Sequence, residues 1–302
     1  MDSLHIERDD LTKRAIPHMI LSDGSASSMT SPPPPVPPHL NADGRAKFRF
    51  TVQGNAIITG GAGVLGLAAS HALLEHGLSG LMIFDVNPAQ SQASIDEMKA
   101  HFPSAKIAAK KVDITDDVAV SEAVVECARV LGSVDMLLCF AGVVGCANAI
   151  DTTAAHWRRI LDINTTGTFL CAQAAAKQMI KQGTGGSIMF TASISAHRVN
   201  YPQPQAAYNV SKSALLTLKN CLAAEWARYG IRTNSISPGY MDTILNEGAG
   251  IAEARQIWAD RNPLGRMGAS SELTGAIVLL SSDAGSYING ADIVVDGGAI
   301  VI

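Results

Sequence analysis

The chain has 302 residues, and 23 lysines and arginines against 27 aspartates and glutamates give a formal net charge of −4 at pH 7. This charge argues against a protein that holds nucleic acid on a basic surface. Apolar residues make up 47% of the chain, yet no run approaches the roughly 20 apolar residues that a membrane-spanning helix needs. The composition therefore excludes a membrane protein and predicts a soluble one with an ample core.

The five cysteines are an odd number and form neither a CxxC pair nor a cluster with histidines. They predict no disulfide framework and no metal site, and they are typical of a reducing compartment. The first ten residues carry four acidic side chains against one arginine and lack an apolar segment, so they do not fit a secretory or mitochondrial targeting sequence. We therefore expect a cytoplasmic protein.

Residues 1–50 precede the region of regular hydrophobic patterning. Six of the thirteen prolines fall between Pro32 and Pro38, after a stretch rich in Ser, Asp and Gly that has no helical or strand period. We predict a mostly disordered extension over residues 1–50. Its PPPPVPP sequence is expected to populate polyproline II without carrying the function.

From residue 55 onward, short apolar runs alternate with segments of helical period. The predicted strands are Asn55–Thr59, Leu81–Phe84, Lys106–Val112, Val134–Phe140, Ser187–Phe190, Ile231–Ser237 and Asp292–Val295. The predicted helices are Leu67–His76, Ser91–Lys99, Asp117–Val130, Trp157–Met179, Tyr208–Arg228 and Glu272–Leu280. This alternation predicts one α/β domain over residues 51–302, with a doubly wound, seven-stranded parallel sheet and helices on both faces.

A glycine-rich sequence, TGGAGVLG at positions 59–66, follows the first predicted strand and opens the first helix. Glycines there permit a tight turn and a close approach of the backbone to a pyrophosphate. The helix N-terminus offers free N–H groups to the phosphates. Glycine-rich turns without a ligand are also common, but the context favours a dinucleotide site. The residues predicted to form it are Gly60, Gly61, Gly63, Leu65 and Gly66.

Asp85 ends the second predicted strand, nineteen residues after Gly66. An acidic side chain at this position accepts hydrogen bonds from the adenosine ribose and repels a 2′-phosphate. Because residues 86–88 and the glycine turn supply no basic side chain, NAD is favoured over NADP. The alternative is an ordinary carboxylate that caps the next helix. Asp113, at the end of the third strand, is expected to meet the adenine edge.

Tyr208 and Lys212 are four residues apart and so share one face of a predicted helix. A phenol with a pKa of about 10 is a poor base at neutral pH, and an adjacent ammonium and an oxidised nicotinamide favour its ionised form. We expect the pKa of Tyr208 to fall toward about 7, so that it exchanges a proton with a substrate oxygen. Lys212 is expected to hold the nicotinamide ribose as well. The same spacing also occurs on many solvated helix faces.

Two further polar residues are expected beside this pair. Ser195 lies thirteen residues before Tyr208, just after a predicted strand, where its hydroxyl can bind the substrate oxygen. Asn164 lies in an otherwise apolar helical stretch, which suits either a bound water or a hydrogen bond to a neighbouring carbonyl. By contrast, we expect the segment His156–Arg159 to provide only a packed indole and a solvated helix face.

Several motifs occur together in chain order. They are TGGAGVLG at 59–66, Ala141 and Gly142 after the fourth strand, Asn164, Ser195, Tyr208, Lys212, SPGYMDT at 237–243 and VDGG at 295–298. With them, residues 52–302 resemble the short-chain dehydrogenase/reductase family. The resemblance implies a Rossmann sheet that binds NAD(P) and a catalytic tetrad of Asn164, Ser195, Tyr208 and Lys212. It further implies cofactor contacts from Ala141, Gly142, Pro238, Gly239 and Thr243, a mobile substrate lid at 244–265, and a homodimer or homotetramer.

The chain departs from the family pattern at two places. Val64 replaces the second glycine of TGxxxGxG, with Gly63 one place earlier, and Cys139 and Phe140 replace the two asparagines of NNAG. The phosphate turn is therefore expected to have a slightly different shape. Neither change touches the tetrad.

Within the family, residues 195–208 and 237–243 resemble the fungal polyol and ketose reductases. Asn200, Gln203 and Gln205 suit a hydroxyl-rich substrate, or else they only order the helix that carries Tyr208. We predict an NAD(P)-dependent oxidoreductase of a secondary alcohol or ketone, with polyols and ketoses as candidates. The alternatives are a ketone reductase of fungal secondary metabolism and a non-catalytic dinucleotide sensor or scaffold.

Overall fold

Seven parallel strands form one sheet in the order β3-β2-β1-β4-β5-β6-β7. The computed structural model describes residues 15–25, 28–243 and 249–302. The strands are β1 Asn55–Thr59, β2 Gly80–Asp85, β3 Lys106–Lys111, β4 Met136–Cys139, β5 Gly186–Thr191, β6 Ile231–Pro238 and β7 Asp292–Val295. The α-helices of the described part are α1 Ala42–Arg49, α2 Val64–Glu75, α3 Gln92–His101, α4 Asp117–Leu131, α5 Ala154–Leu161, α6 Thr168–Gln182, α7 Ala206–Trp226, α8 Ala252–Asp260 and α9 Thr274–Ser281.

The core fills both faces of the sheet. Because successive side chains of a strand point to opposite faces, Ile57 packs against α4 and α6, whereas Ile58 packs against α2 and α9. Both isoleucines are fully buried, and each such side chain stabilises the fold by roughly 1.5–3 kcal/mol. The predicted fold class, a single doubly wound α/β domain with a seven-stranded parallel sheet, is confirmed.

The direction in which the strands are added reverses between β1 and β4, which are hydrogen-bonded neighbours. In open parallel sheets, ligands bind beyond the carboxyl ends of the strands at such a reversal. The glycine turn after β1 and residues 140–142 after β4 both lie there. At one edge of the sheet, β3 has the sequence KIAAKK, and its residues are exposed or half-buried.

The helix predicted at Trp157–Met179 is broken into α5, a π-helical segment Asp162–Gly167, and α6. Within the break, the Thr168 hydroxyl donates to the Asn164 carbonyl over 2.8 Å. Gly167 packs so closely that an added Cβ would lie 2.8 Å from the Ile114 side chain. A π-bulge of this kind turns a helical residue out of its usual register, and here that residue is Asn164.

Two helices lie where none was predicted. Helix α1 falls within residues 1–50, and its N-cap Asn41 accepts a hydrogen bond from the Gly44 N–H over 2.8 Å. Helix α8 falls within the predicted lid at 244–265, of which residues 244–248 lie outside the described residues. The disordered extension and the mobile lid stay predictions. No helix in the described part is both long and apolar enough to cross a membrane, and all five cysteines are free.

Gly60 is required by the contact between the two turns at the reversal. Its φ is +64°, and an added Cβ would lie 2.5 Å from the Ala141 backbone nitrogen. Gly66 is also constrained, since a Cβ there would lie 2.6 Å from the Gly60 carbonyl oxygen. By contrast, a Cβ on Gly275 of α9 would meet nothing within 4 Å.

We therefore expect Gly60→Ala to lower the free energy of unfolding by more than about 2 kcal/mol, because it combines a left-handed backbone with a steric clash. Urea unfolding followed by circular dichroism measures this. The matched control Gly275→Ala should leave stability unchanged or raise it by up to about 1 kcal/mol. Equal stability of the two variants would contradict the assigned contact.

Candidate active site

A cavity of about 820 Å³ lies at the strand reversal. Of the residues predicted to bind the cofactor, it is lined by Gly60, Asp85, Asp113, Ala141 and Gly142. Its volume is within the range of small-molecule and cofactor sites. Arg158 and Arg159 also line it, which the sequence did not predict, because their helix face was expected to be only solvated.

The phosphate turn ends in an open helix N-terminus. Gly63 is the N-cap of α2 with an extended backbone and provides no side-chain cap, so N–H groups of the first turn are free for a ligand. Val64, the residue that departs from the family pattern, is the first residue of the helix, and 37% of its side chain is exposed. Leu65 is half-buried against the core.

Asp85 connects the end of β2 to the phosphate turn. One carboxylate oxygen accepts from the Ala62 N–H over 3.2 Å, and the other accepts from the Asn87 N–H over 3.0 Å. Each oxygen keeps a lone pair, and the side chain lines the cavity, so a ribose hydroxyl can still bind. At Asp113, hydrogen bonds from the Thr115 N–H and hydroxyl lower the carboxyl pKa. These features fit the adenosine half of a dinucleotide.

Lys212 is a buried cation, with only 5% of its surface exposed. Its Nζ donates to the Thr191 carbonyl over 2.7 Å, which is its one hydrogen bond to the described residues. Burial lowers the pKa of Lys212 to about 8, so the side chain remains an ammonium at pH 7. Two N–H groups are therefore left for hydroxyls of a bound ribose.

Asn164 is fully buried, and its side chain forms hydrogen bonds with other residues of the protein. Its Oδ1 accepts from the Val143 N–H over 2.8 Å, and its Nδ2 donates to the Val143 carbonyl and the Ser211 hydroxyl. Of the two interpretations of the sequence, the structure therefore supports hydrogen bonding to a neighbouring carbonyl. A Cβ added to Gly142 would lie 3.2 Å from Asn164 Oδ1 and 3.6 Å from Lys212 Nζ, so these three residues converge.

Tyr208 is half-buried, and the Lys212 Nζ lies 5.7 Å from the centre of its ring. Burial raises the pKa of Tyr208 to about 12, although a hydrogen bond with the Ser193 side chain acts in the opposite direction. In the protein alone, the phenol thus loses more solvation than its neighbours return. The expected fall of this pKa toward about 7 includes the charge of an oxidised nicotinamide and stays a prediction. Tyr208 is protonated at neutral pH and suited to donate a proton.

Two neighbouring serines, Ser193 and the predicted Ser195, lie beside Tyr208, and Ser193 is the one hydrogen-bonded to it. Ser193 follows β5 by two residues, and its Oγ lies 3.1 Å from the Ser195 Oγ. Ser195 is further inside, 3% exposed, and its hydroxyl also accepts from the Gln205 Nε2 over 3.2 Å. The role expected for Ser195, a hydrogen bond to the substrate oxygen, stays a prediction, and its own O–H donates to none of the described residues.

The segment after β6 lies beside these groups. The Gly239 N–H donates to the Val295 carbonyl over 2.9 Å, which holds the Pro238-Gly239 turn against β7, and Thr243 is buried. Tyr240 stacks on Trp258 of α8, with ring centres 4.2 Å apart and planes inclined by 5°. Helix α8 therefore packs against the wall of the site through an aromatic pair.

Comparison with known proteins identifies the family. The family model described as enoyl-(acyl carrier protein) reductase matches residues 61–299. The solved structure of a short-chain type dehydrogenase/reductase from Mycobacterium marinum is 36% identical, with a TM-score of 0.77, and the match covers 83% of this chain and 97% of that one. The chain belongs to the short-chain dehydrogenase/reductase family.

Two relatives show which branch of the family the chain resembles. An NADP-dependent mannitol dehydrogenase of Hypocrea jecorina is 34% identical over 82% of this chain and 93% of the relative. A ribulose-forming D-arabinitol 2-dehydrogenase of Scheffersomyces stipitis is 34% identical over 87% and 96%. The resemblance to the polyol reductase branch is thus confirmed. This short-chain dehydrogenase/reductase is an NAD(P)-dependent oxidoreductase of the secondary alcohol and ketone type.

The raised pKa of Tyr208 is testable without a substrate. The difference in tyrosinate absorbance between the wild type and Tyr208→Phe, titrated without cofactor, should show no ionisation of this phenol below pH 10, because burial favours its neutral form. Tyr287→Phe, which removes an exposed phenol, is the control for the subtraction. A tyrosinate signal from Tyr208 near pH 7 to 8 would contradict the assigned environment.

Proposed function

We propose that this protein interconverts a polyol and the corresponding ketose. The observation that carries the proposal is the convergence of the Tyr208 phenol, the paired hydroxyls of Ser193 and Ser195, and the Lys212 ammonium beside the crevice at the strand reversal. The mannitol and arabinitol dehydrogenases among the relatives support a substrate that carries several hydroxyls.

In the proposed reaction, Tyr208 is the proton donor to the substrate oxygen during ketone reduction and the acceptor during alcohol oxidation. Ser195 holds the same oxygen through its hydroxyl, whose proton is left because its oxygen accepts from both Ser193 and Gln205. The ammonium of Lys212 stabilises negative charge on the phenol whenever the proton has left, and burial strengthens this attraction. The nicotinamide, when bound, supplies or accepts the hydride. Ser193 and Asn164 act as positioning residues, Ser193 through its hydrogen bond to Ser195 and Asn164 through residue 143.

The dinucleotide is proposed to extend from this group to the cavity. Gly60, Gly61, Gly63, Leu65 and Gly66 form the phosphate turn, and the α2 N-terminus receives the pyrophosphate. Lys212 binds the nicotinamide ribose, whereas Asp85 and Asp113 receive the adenosine. Pro238, Gly239 and Thr243 would hold the nicotinamide. Ala141 and Gly142, which line the cavity, would contact the same dinucleotide.

We propose NAD as the preferred form of the cofactor. The Asp85 carboxylate lines the cavity, and residues 86–88 place no cation beside it. This preference would distinguish the protein from its NADP-dependent relative. We also propose, from the family resemblance, a cytoplasmic homodimer or homotetramer that assembles through α6 and α7.

Substitutions of the two serines and the tyrosine test the assigned roles. Tyr208→Phe should slow turnover by about 100-fold or more while cofactor binding is retained, because a positioned proton donor is lost. Ser195→Ala should slow turnover by roughly 10- to 100-fold, and the matched variant Ser193→Ala should do so to a smaller extent. Nicotinamide absorbance with mannitol or arabinitol as the substrate measures both, and a greater loss in Ser193→Ala would refute the assignment of Ser195.

Asp85→Ser should shift the cofactor preference toward NADP by at least about 10-fold in kcat/KM, since the repulsion of a 2′-phosphate is removed. The ratio of kcat/KM with the two cofactors measures the shift. Asp113→Ser, in the same cavity, is the matched control and should change the ratio little. If the ratio is unmoved in both variants, Asp85 does not contact the ribose.

A further inference from the structure

Tyr240 accepts two hydrogen bonds from side-chain amides. The Asn200 Nδ2 lies 2.7 Å from the Tyr240 hydroxyl oxygen, and the Gln203 Nε2 lies 2.9 Å from it. A phenol oxygen accepts at most two such bonds while its own O–H donates elsewhere. The Tyr240 O–H therefore points away from the two amides only if both of them face its oxygen with their nitrogen atoms.

The orientation of Gln203 is fixed by Trp258. The indole N–H of Trp258 can only donate, and it lies 3.1 Å from the amide oxygen of Gln203. The amide nitrogen of Gln203 must then be the atom that faces Tyr240. A rotated amide would place two donors against each other at Trp258.

The orientation of Asn200 is fixed in the same way by Asn209. The Asn209 Nδ2 donates to the backbone carbonyls of Ser195 and Arg198, which can only accept, over 2.8 and 2.9 Å. The same nitrogen lies 3.1 Å from the Asn200 Oδ1. The oxygen of Asn200 therefore faces Asn209, and its nitrogen faces Tyr240. With both amides oriented, the Tyr240 proton must point away from them.

No acceptor for that proton lies within residues 15–25, 28–243 and 249–302. The only hydrogen bonds of Tyr240 through its hydroxyl are the two that it accepts. The side chain is half-buried, so its hydroxyl proton is left for a molecule from outside the protein. A donor of this kind recognises an oxygen, either a hydroxyl or a carbonyl.

Tyr240 lies on the substrate side of the site. It follows the end of β6, next to β5, whose end leads to Ser193. Its network reaches Asn209, the residue after Tyr208. The two phenols are also close enough for Tyr240 to raise the pKa of Tyr208, and the Cys146 thiol has the same effect on both.

We propose that the Tyr240 hydroxyl donates a hydrogen bond to a second oxygen of the substrate, away from the carbon that reacts, and so selects polyols and ketoses over simple alcohols and ketones. Asn200 and Gln203 are positioning residues that direct its proton. This inference rests on the proposed function, since it concerns the same reaction and the same crevice.

The test compares a polyol, mannitol, with cyclohexanol, which has one hydroxyl only. Tyr240→Phe keeps the ring on Trp258 and should raise the KM for mannitol roughly 3- to 10-fold while kcat changes less than about 2-fold. The KM for cyclohexanol should stay within about 2-fold of the wild type. The variant Tyr287→Phe, which removes an exposed hydroxyl, should change neither.

A second variant is needed because Tyr240→Phe also leaves two amide N–H groups without an acceptor. This variant changes the direction of the Tyr240 proton and keeps the hydroxyl in place. Gln203→Glu keeps an acceptor for the Trp258 indole but presents an oxygen to Tyr240, which then donates inward. It should reproduce the rise in KM for mannitol with a thermal midpoint close to the wild type.

Four outcomes are possible. A selective rise in KM for mannitol in both variants supports the inference. An unchanged KM for mannitol, or an equal rise for both alcohols, overturns it while leaving the proposed function standing. A wild type that oxidises cyclohexanol but not mannitol also overturns it. A wild type that oxidises neither alcohol with either cofactor overturns both the inference and the proposed function.

Discussion

The hydrogen bond from the Lys212 ammonium to the Thr191 carbonyl is the constraint on which the site depends. An ammonium transferred from water into the protein interior is costly unless it is hydrogen-bonded, and the last carbonyl of β5 is the partner that this fold provides. The bond fixes α7 against the end of β5. Because Tyr208 is one helical turn before Lys212, and Ser193 is two residues after Thr191, the same bond brings the phenol and the hydroxyl together. Burial also raises the pKa of Tyr208 and lowers the pKa of Lys212, because it disfavours the charged form of each side chain.

Most of the fold could be predicted from the sequence. Parallel strands covered on both faces appear as continuous apolar runs, and β1 and β7 were predicted with their observed bounds. The break in the helix after residue 161 could not be predicted, since it depends on the close contact of Gly167 with Ile114 and on a hydroxyl bond within the turn. Helix α1 could not be predicted, because it has no apolar face and none of its residues is buried.

The residues that form the site could be predicted from the sequence better than the role of each residue. The residues that line the cavity follow strand ends, which motifs locate well. The hydrogen bond of Ser193 to Ser195 depends on the path of the chain after β5, which spacing does not reveal. The raised pKa of Tyr208 could not be predicted from the sequence, because it depends on the burial of the phenol. The amides of Asn200, Gln203 and Gln205 were candidates to bind a substrate. In the structure, Asn200 and Gln203 each donate one hydrogen bond to Tyr240, and Gln205 donates one to Ser195.

The lysines of β3 have a consequence for how copies of this chain can meet. An edge strand carries unpaired backbone groups that invite a strand from another molecule, and lysines on the edge oppose such pairing. Here Lys106, Lys110 and Lys111 occupy half of the six positions of β3, and Lys110 pairs with Glu126 of α4. Two sheets brought together at this border would place like charges side by side. Continuation of the sheet across a molecular boundary is therefore opposed on this side, which protects the protein against fibre-like aggregation there.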